Sequence, residues 1–254
     1  MWDIYDALID AVPAGLRATD CVCGLNWFAV RCKGVGLAMA PGDGAVSLPQ
    51  AGHYAGMELR ALAGLVKSWN FAEAALGLAA INSALNGAET VEHAHNRRLA
   101  EIPRANCFHF LREQFRGRKV TVVGHFRDLE PLKDICTLNI LERRPQPGDL
   151  PDPACEWVLK NQDFVVITAV TLINKTLPRL LALSAGARIV LTGPSTPLTP
   201  LLYEHGIDML AGLVVQDEPA VLRAIMEGGQ QQIFENGSRM VMLSRPEPIA
   251  RMAG

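Results

Sequence analysis

An alternation of short apolar runs with helical segments, starting near Lys119, restricts the fold of this 254-residue chain more than any other feature. The runs are rich in β-branched residues, which is typical of strands buried in a parallel sheet with helices on both faces. Right-handed crossovers then favour a doubly wound, mostly parallel, Rossmann-like α/β domain. The predicted strands are residues 120–123, 137–141, 164–167, 188–191 and 209–215, with a sixth at 240–243 that could lie at an edge.

The N-terminal part of the chain has a different pattern. Apolar residues at helical spacing predict a short helix over 4–12, which Pro13 ends. Residues 21–30 and 35–40 predict a β-hairpin, followed by a turn at 41–44, and small residues in its second strand indicate a closely packed neighbour. Two helices should follow, one from about Met57 and one that Asn70 opens as its N-cap. We therefore expect a small α+β domain here.

A basic segment joins the two patterns. Residues 97–119 carry seven arginine or lysine residues and two glutamates. The hairpin-and-helix pattern stops between residues 112 and 119, so we expect an α+β domain over 1–115 and the Rossmann-like domain over 116–254. One or two of the arginines are expected to face an anionic ligand between the domains, and the others to be solvated.

Composition argues against several classes of partner. The net charge of −2 provides no field that would gather nucleic acid or an anionic membrane. No run approaches the roughly 18 apolar residues of a membrane span, and the chain starts without a basic signal-like region. Six scattered cysteines suit a reducing compartment, so we expect free thiols and a cytoplasmic protein. The oligomeric state is left open.

Two close pairs of potential metal ligands are present, Cys21-x-Cys23 and His93-x-His95. Residues i and i+2 of a strand share a face, so Cys21 and Cys23 could bind an ion with Cys32 nearby. However, the chain contains no pair of Cys-x-x-Cys units, and a free cysteine is commonly an ordinary buried residue. No protein-borne metal site is predicted, and no cofactor is assigned.

Ligands of open α/β sheets bind outside the carboxyl ends of the strands, so the loops at these ends are the candidate site. The first loop, Gly124-His125-Phe126, has a single glycine and is not a dinucleotide-binding fingerprint. His125 could be an acid or base, or only a hydrogen-bonding wall residue. Glu142, at the end of the second strand, could bind a ribose hydroxyl or pair with one of the two arginines that follow it.

The loop after the third predicted strand concentrates hydroxyl and amide groups. Thr176 occupies the N-cap position of a helix that should begin near Leu177. Thr168, Thr171 and Asn174 are not required by any cap, which makes them candidates for ligand contact.

The loop after the fourth predicted strand, residues 193–196, contains Pro194 and the paired hydroxyls of Ser195 and Thr196. Thr199 and Pro200 fit the N-cap and first position of the next helix. A rigid proline turn would explain the prolines but not the hydroxyls, whereas an anion site would use both hydroxyls and backbone N–H groups. We predict an anion or carboxylate pocket here, facing residues 168–174.

Several phrases in the chain resemble one family when they are taken in order. They are SWN at 68–70, ALGLAAIN at 75–82, VGHF at 123–126, ER at 142–143, TAVTLINKT at 168–176, GPST at 193–196 and GIDMLAG at 206–212. Together they resemble the putative heavy-metal chelation domain family, whose members join an enolase N-terminal-like domain to a Rossmann-like domain. The resemblance covers nearly the whole chain.

The resemblance implies a site between the two domains, partial similarity to Rossmann-like methyltransferases, and a role in making or handling metal-chelating, pterin-like or flavin-like compounds. A chelator would then be the ligand or product, and the polypeptide would not hold the metal itself. The resemblance also draws attention to Asn82, which lies in an apolar helix and either braces the hairpin or faces the cleft.

Three functions follow as hypotheses, and whether the chain is an enzyme is left open. The first is an enzyme acting on a small polar or anionic metabolite, the second a non-catalytic carrier of a chelator or its metal complex, and the third an S-adenosylmethionine-dependent methyltransferase. The expected site residues are His125 as catalytic group and, as ligand-binding groups, Asn82, Gly124, Phe126, Glu142, Thr168, Thr171, Asn174, Pro194, Ser195 and Thr196.

Overall fold

The computed structural model describes residues 2–42 and 47–246. Within these residues, three antiparallel strands form a small sheet, in the order β1 (Asp20–Cys23), β2 (Trp27–Arg31) and β3 (Val35–Met39). The predicted first strand over 21–30 is wrong as a single element, because the backbone N–H of Gly24 bonds to the carbonyl of Trp27 and turns the chain there. The predicted turn at 41–44 lies partly outside the described residues.

Helices cover one face of the small sheet. The N-cap prediction for Asn70 is confirmed, since its side chain accepts hydrogen bonds from the backbone N–H groups of Ala72 and Glu73. The close packing expected of β3 is also present: a Cβ added to Gly36 would lie 2.0 Å from the backbone nitrogen of Ser83. The helices are α1 (Asp3–Asp10), α2 (Leu59–Gly64), α3 (Phe71–Leu85) and α4 (Ala88–His95), with 3-10 turns at Leu65–Lys67 and Leu99–Glu101.

In the described part of the chain, seven strands form a large sheet, and the expected mostly parallel α/β architecture is confirmed. Its strand order is β10-β9-β8-β7-β4-β5-β6, and only β10, at one edge, runs antiparallel to its neighbour. All six predicted strands are present, and the short β6 was not predicted. The strands are β4 (Lys119–Val123), β5 (Thr137–Glu142), β6 (Leu150–Pro151), β7 (Phe164–Thr168), β8 (Arg188–Thr192), β9 (Met209–Val215) and β10 (Ser238–Ser244).

Short helices connect the strands of the large sheet. The predicted helix start at Leu177, with Thr176 at the N-cap position, is confirmed, but two details of the predicted caps need correction. Thr176 precedes its helix but makes no capping bond, since its hydroxyl donates to Oδ1 of Asn174, and the N-cap position of the next helix is Pro200, one residue later than predicted. The helices are α5 (Cys107–Phe110), α6 (Arg112–Phe115), α7 (Cys155–Val158), α8 (Val170–Ile173), α9 (Leu177–Leu183), α10 (Leu201–Glu204), α11 (Glu218–Met226) and α12 (Gln232–Glu235), with 3-10 turns at Arg127–Leu132 and Asp152–Ala154.

The hydrophobic core joins the two sheets. Helix α3 is buried along most of its length and packs with the face of the large sheet that carries Val165 and Leu191. The other face of the small sheet, with Trp27 and Leu37, packs on Ile225 of α11. The two parts of the chain are therefore held together by shared core residues.

The expected boundary between residues 115 and 116 stays a prediction. In the structure, Cys107, Phe108, Leu111 and Phe115 pack in one cluster with Val122 of the large sheet. Helices α5 and α6 thus belong by packing to the large sheet, which favours a division earlier than residue 115.

Two general properties can be added. No helix in residues 2–42 and 47–246 is long and apolar enough to cross a membrane. All six cysteines lie within these residues and are free.

Candidate functional site

A cavity of about 1050 Å³ opens along the carboxyl edge of the large sheet. Its floor is made by the ends of β4, β5, β7 and β8, and its opposite wall by residues 39–42 and Phe71 from the part of the chain that carries the small sheet. This is the edge that the sequence pattern selects. Of the predicted site residues, the cavity wall contains Gly124, His125, Phe126, Glu142, Thr168, Thr171, Asn174 and Pro194.

The floor of the cavity lies at the point where strand order reverses. Strands β4 and β7 are neighbours there, while the chain continues from β4 toward β6 on one side and from β7 toward β10 on the other. Gly124 follows β4 with φ +104°, and a Cβ at this position would lie 3.1 Å from Cγ2 of Thr168. A side chain would therefore be strained and would crowd the switch point, where doubly wound sheets bind their ligands.

His125 is held by a buried carboxylate that the sequence did not reveal. Its Nδ1 lies 2.8 Å from Oδ2 of Asp149, whose side chain is 2% exposed, while the His125 side chain is 29% exposed. The same Asp149 oxygen accepts a hydrogen bond from the backbone N–H of Gln146. A carboxylate at Nδ1 fixes the imidazole ring and leaves Nε2 available, which is the arrangement used by general bases and by histidines that bind metals.

Both carboxylate oxygens of Glu142 accept hydrogen bonds from nearby backbone N–H groups. Its Oε2 accepts a hydrogen bond of 2.8 Å from the backbone N–H of His125, and its Oε1 accepts one of 3.1 Å from that of Arg144. Arg143 pairs with Asp152 at 3.2 Å. The carboxylate thus positions the loop that carries His125, although the residue also lines the cavity.

Two guanidinium groups at the cavity wall are available for an anion. Arg104, from the basic segment, and Arg127, which follows Phe126, both line the cavity, and neither has a hydrogen bond or ion pair with another described residue. The loops that carry them are joined by a hydrogen bond of 2.6 Å from Nδ2 of Asn106 to Oδ2 of Asp128. Sequence analysis anticipated that an arginine of the basic segment would face the cleft, and it missed Arg127.

The loop after β7 lines the cavity, but some of its polar groups form hydrogen bonds within the loop itself. The Thr171 hydroxyl donates to the carbonyl of Thr168 at 2.6 Å. Oδ1 of Asn174 accepts from both the backbone N–H and the hydroxyl of Thr176, at 3.1 and 2.6 Å. Thr171 and Asn174 thus fix the turn that forms the cavity wall, a role that the sequence analysis did not consider, and their contact with a ligand stays a prediction.

Ser195, Thr196 and Asn82 do not line the cavity. The Ser195 hydroxyl accepts a hydrogen bond of 2.9 Å from the backbone N–H of Met39, and Thr196 is fully buried. Asn82 donates through Nδ2 to the carbonyls of Leu37 and Ser195, at 2.8 and 3.0 Å. Of the two roles considered for Asn82, the structure shows the bracing one, and the hydroxyl of Ser195 serves the same contact between the two sheets.

Asn86 completes this contact, and it is not among the residues that the sequence analysis singled out. Its Nδ2 donates to the carbonyl of Thr196 at 2.9 Å, and its Oδ1 accepts from the backbone N–H of Leu198 at 2.8 Å. The loop after β8 is thus docked against α3 through main-chain groups.

Cys107 and Cys155 both line the cavity, and Cys107 is held as a thiol. Sγ of Cys107 lies 3.2 Å from Oγ1 of Thr192, and burial raises the pKa of Cys107 to about 11. A thiol with that pKa is a poor nucleophile or metal ligand near neutral pH. Over residues 2–42 and 47–246, no group of three or more His, Cys, Asp or Glu side chains is placed to hold a metal ion.

Comparisons with known proteins agree with this architecture. Two family models, both described as putative heavy-metal chelation, match residues 106–244 and 5–85. A crystal structure of a protein of unknown function from Desulfitobacterium hafniense, of the DUF364 family, has a TM-score of 0.88 and 38% identity, covering 96% of this chain and 98% of that chain. No curated protein matches.

A second crystal structure, of a DUF364 protein of unknown function from Pyrococcus horikoshii, has a TM-score of 0.74 and 19% identity, covering 95% of this chain and 98% of that chain. At this identity the likeness concerns the fold alone. The two matched segments leave out residues 86–105, which lie between α3 and α5 and include Arg104.

Proposed function

Because the chain belongs to the putative heavy-metal chelation family, we propose that it binds a small anionic metabolite, a metal chelator or its metal complex, in the cavity at the carboxyl edge of the large sheet. The observation that carries this proposal is the pair of Arg104 and Arg127, two cavity-lining cations without partners among the described residues. Chelators of metal ions are commonly rich in carboxylates, and guanidinium groups bind carboxylates with planar, two-point geometry.

The chelator is proposed as the ligand, and the protein is not proposed to be the chelator. Arg104 and Arg127, two cavity-lining groups without partners among the described residues, are cations, which repel a free metal ion. A carboxylate-rich compound that carries the metal would instead bring the negative charge that Arg104 and Arg127 can neutralise.

A planar ligand, such as a pterin-like or flavin-like compound, is compatible with the wall. Phe108 and Phe126 both line the cavity, with ring centroids 5.1 Å apart in a tilted arrangement. Trp27 and Phe234 line it too, at 6.3 Å in an edge-to-face arrangement. Phe126 and Phe234, the half-buried members of the two pairs, are the rings that could stack on a planar ligand, while Phe108 and Trp27 are buried behind them.

If the protein is an enzyme, His125 is the group proposed to move a proton. With Nδ1 held by Asp149, Nε2 can accept a proton from a ligand in the cavity and return it, and the buried carboxylate stabilises the charged ring meanwhile. The carrier hypothesis would use the same His125 as a hydrogen-bonding or metal-contacting wall residue. Turnover of a bound compound separates the two, since a carrier saturates at one equivalent.

The methyltransferase hypothesis receives less support. It depended on Glu142 as the group that binds a ribose hydroxyl, and both of its carboxylate oxygens accept hydrogen bonds from backbone N–H groups of the neighbouring loop. The single Gly124 also supplies less of the backbone approach that a tightly held nucleotide needs.

Two measurements test the proposal. Native mass spectrometry of protein purified from its own host should show a bound small anion, which fragmentation then identifies. Calorimetric titration with citrate, with Ni²⁺ alone and with the Ni²⁺–citrate complex compares chelator, metal and chelate as probes. We expect citrate or its complex to bind with one equivalent and Ni²⁺ alone to bind more weakly. Tight binding of Ni²⁺ alone, with no effect of citrate, would contradict the proposal.

A further inference from the structure

Lys175 is a buried amine that the proposed function does not use. The residue is 5% exposed, and its Nζ donates a hydrogen bond of 2.6 Å to the carbonyl of Ile173. Among the described residues it has no carboxylate partner. Buried lysines are normally paired, because an isolated ammonium group is costly to remove from water.

Lys175 does not itself line the cavity, but its neighbours in sequence and the ring that lies against its amine do. Ile173, Asn174 and Thr176, on both sides of Lys175 in sequence, all line the cavity wall. The ring of Phe71 also lines the cavity, and Nζ of Lys175 lies 5.8 Å from its centroid. A single aromatic side chain therefore lies against both the amine and the cavity.

The backbone of Lys175 is unusual for this residue type. Its φ is +67°, in the left-handed region that residues other than glycine, asparagine and aspartate rarely adopt. The turn fixed by Asn174 and Thr176 holds this conformation and directs the side chain into the protein. Strain of this kind persists only where the surrounding structure enforces it, and it is concentrated at functional sites.

The surroundings favour the neutral form of the amine. Burial lowers the pKa of Lys175 to about 8, because no negative charge compensates for the loss of solvation. About a tenth of the amine is then uncharged at pH 7, far more than for an exposed lysine, and an uncharged amine has the lone pair that a nucleophile needs.

We propose that Lys175 forms an imine with an aldehyde or ketone group of an anionic ligand in the cavity. The proposal rests on the proposed function in taking this cavity as the ligand site. It adds that the ligand class includes carbonyl compounds and that Lys175 is a catalytic residue.

The reaction balances without an oxidant or reductant. The amine nitrogen attacks the carbonyl carbon, a C–N bond forms, and the carbonyl π electrons move to oxygen, which takes up a proton. The nitrogen then loses its protons as the hydroxyl group leaves as water, and its lone pair completes the C=N bond. Amine plus carbonyl thus gives imine plus water.

Phe71 gives the site a means of excluding water. Its ring covers the ammonium group in this structure, so a ligand reaches Lys175 when the ring rotates toward the cavity. When the ring lies over the bond, it slows hydrolysis of the imine. Phe71 is the first residue of α3, so this cover is supplied by the part of the chain that carries the small sheet.

Reductive trapping tests the proposal on the full chain. The protein is incubated with glyoxylate, an anionic aldehyde, and sodium cyanoborohydride at pH 7.5, and carboxymethylation of each of its six lysines is followed by peptide mass spectrometry. We expect Lys175 to be modified at least tenfold faster than the exposed Lys160. Citrate in the same solution should slow modification of Lys175 and leave that of Lys160 unchanged.

Two variants sharpen the result. Phe71→Ala should increase the rate at Lys175, and the matched control Phe110→Ala, at an exposed aromatic residue, should not. Modification of wild-type Lys175 no faster than Lys160 would overturn the proposal, whatever the variants show. If citrate still binds in that case, the proposed function stands without imine formation at Lys175. If Lys175 is trapped selectively but citrate does not bind, imine formation stands and the proposed binding of an anionic chelator does not.

Discussion

Oδ2 of Asp149 lies 2.8 Å from Nδ1 of His125, and this contact joins the loop after β4 to the loop after β5. The carboxylate is buried and the imidazole is partly exposed at the cavity. The two residues are far enough apart in sequence that no local motif connects them. Their contact gives the ring a defined orientation in the absence of any ligand, with Nε2 as its available nitrogen.

Asp149→Ala should change the tautomer of His125. In the wild-type protein the neutral ring carries its proton on Nδ1, where Asp149 accepts it, and the variant removes this acceptor. Long-range ¹⁵N–¹H spectra should show a shift toward the Nε2-protonated form at His125. His109, which is exposed on α5, serves as an internal reference and should not change. An unchanged tautomer at His125 would show that Asp149 does not orient the ring.

Arg104→Gln and Arg127→Gln should each weaken citrate binding. A hydrogen bond to a charged group contributes about 1.5–3 kcal/mol, so affinity should fall roughly ten- to hundredfold for each variant, without loss of folding. Arg112→Gln is the matched control, because Arg112 is an exposed arginine of the same basic segment that does not line the cavity. Calorimetry at fixed ionic strength measures all three. Equal citrate affinities for the wild-type protein and all three variants would contradict the proposed function.

Lys175→Met should stabilise the protein near neutral pH. The pKa of Lys175 is lowered from 10.5 to about 8 on folding, so the folded state holds this proton less tightly than the unfolded state. The destabilisation is complete below pH 8 and disappears as the pH rises toward 10.5. Its size should not exceed about 3 kcal/mol.

Urea unfolding at pH 7 and pH 10 measures this effect. The difference between the free energies of unfolding of Lys175→Met and wild type should shrink as the pH rises. Lys160→Met is the control, since Lys160 is exposed and should show little pH-dependent difference. A difference that stays constant with pH would mean that Lys175 is not destabilised by its charge.

Ser195→Ala should lower stability and spare ligand binding. The substitution removes the acceptor of the part-buried backbone N–H of Met39, which should cost about 1 kcal/mol of unfolding free energy. The Ser195 side chain does not line the cavity, so citrate affinity should stay the same. Ser47→Ala, at an exposed serine, controls for loss of a hydroxyl. A large loss of affinity with unchanged stability would restore the hydroxyl as a ligand contact.

The large sheet could be predicted because its strands are short apolar runs whose burial on both faces leaves a clear pattern. Strand β6, at Leu150–Pro151, is too short to leave one, and the turn residues Gly24 and Asn26 were assigned to a single strand although they mark a break. The edge of the sheet that holds the cavity could be predicted from topology alone. Which hydroxyl faces the cavity could not, because Ser195 and Thr171 are equivalent in sequence terms and differ only in tertiary contacts.

Tertiary contacts also determine the positions of Asp149, Phe71 and Lys175, which the sequence analysis did not assign to the site. Phe71 lines the cavity from a helix distant in sequence, and Asp149 acts on it through His125. The burial of Lys175 depends on a left-handed turn, which is more typical of glycine or asparagine than of lysine.

Asn82 and Asn86 hold the loop after β8, and the groups that they bond to determine which residues of this loop can change during evolution. Both asparagines bond to carbonyl and N–H groups that every residue type except proline supplies in full. Docking through these two amides does not depend on the side chain of Pro194, so Pro194 at the cavity can be exchanged during evolution without undocking the loop. Gly193 is constrained instead by its φ of +111°, at which a side chain would be strained. Ligand specificity can then change at the cavity while the two asparagine amides keep the loop in position.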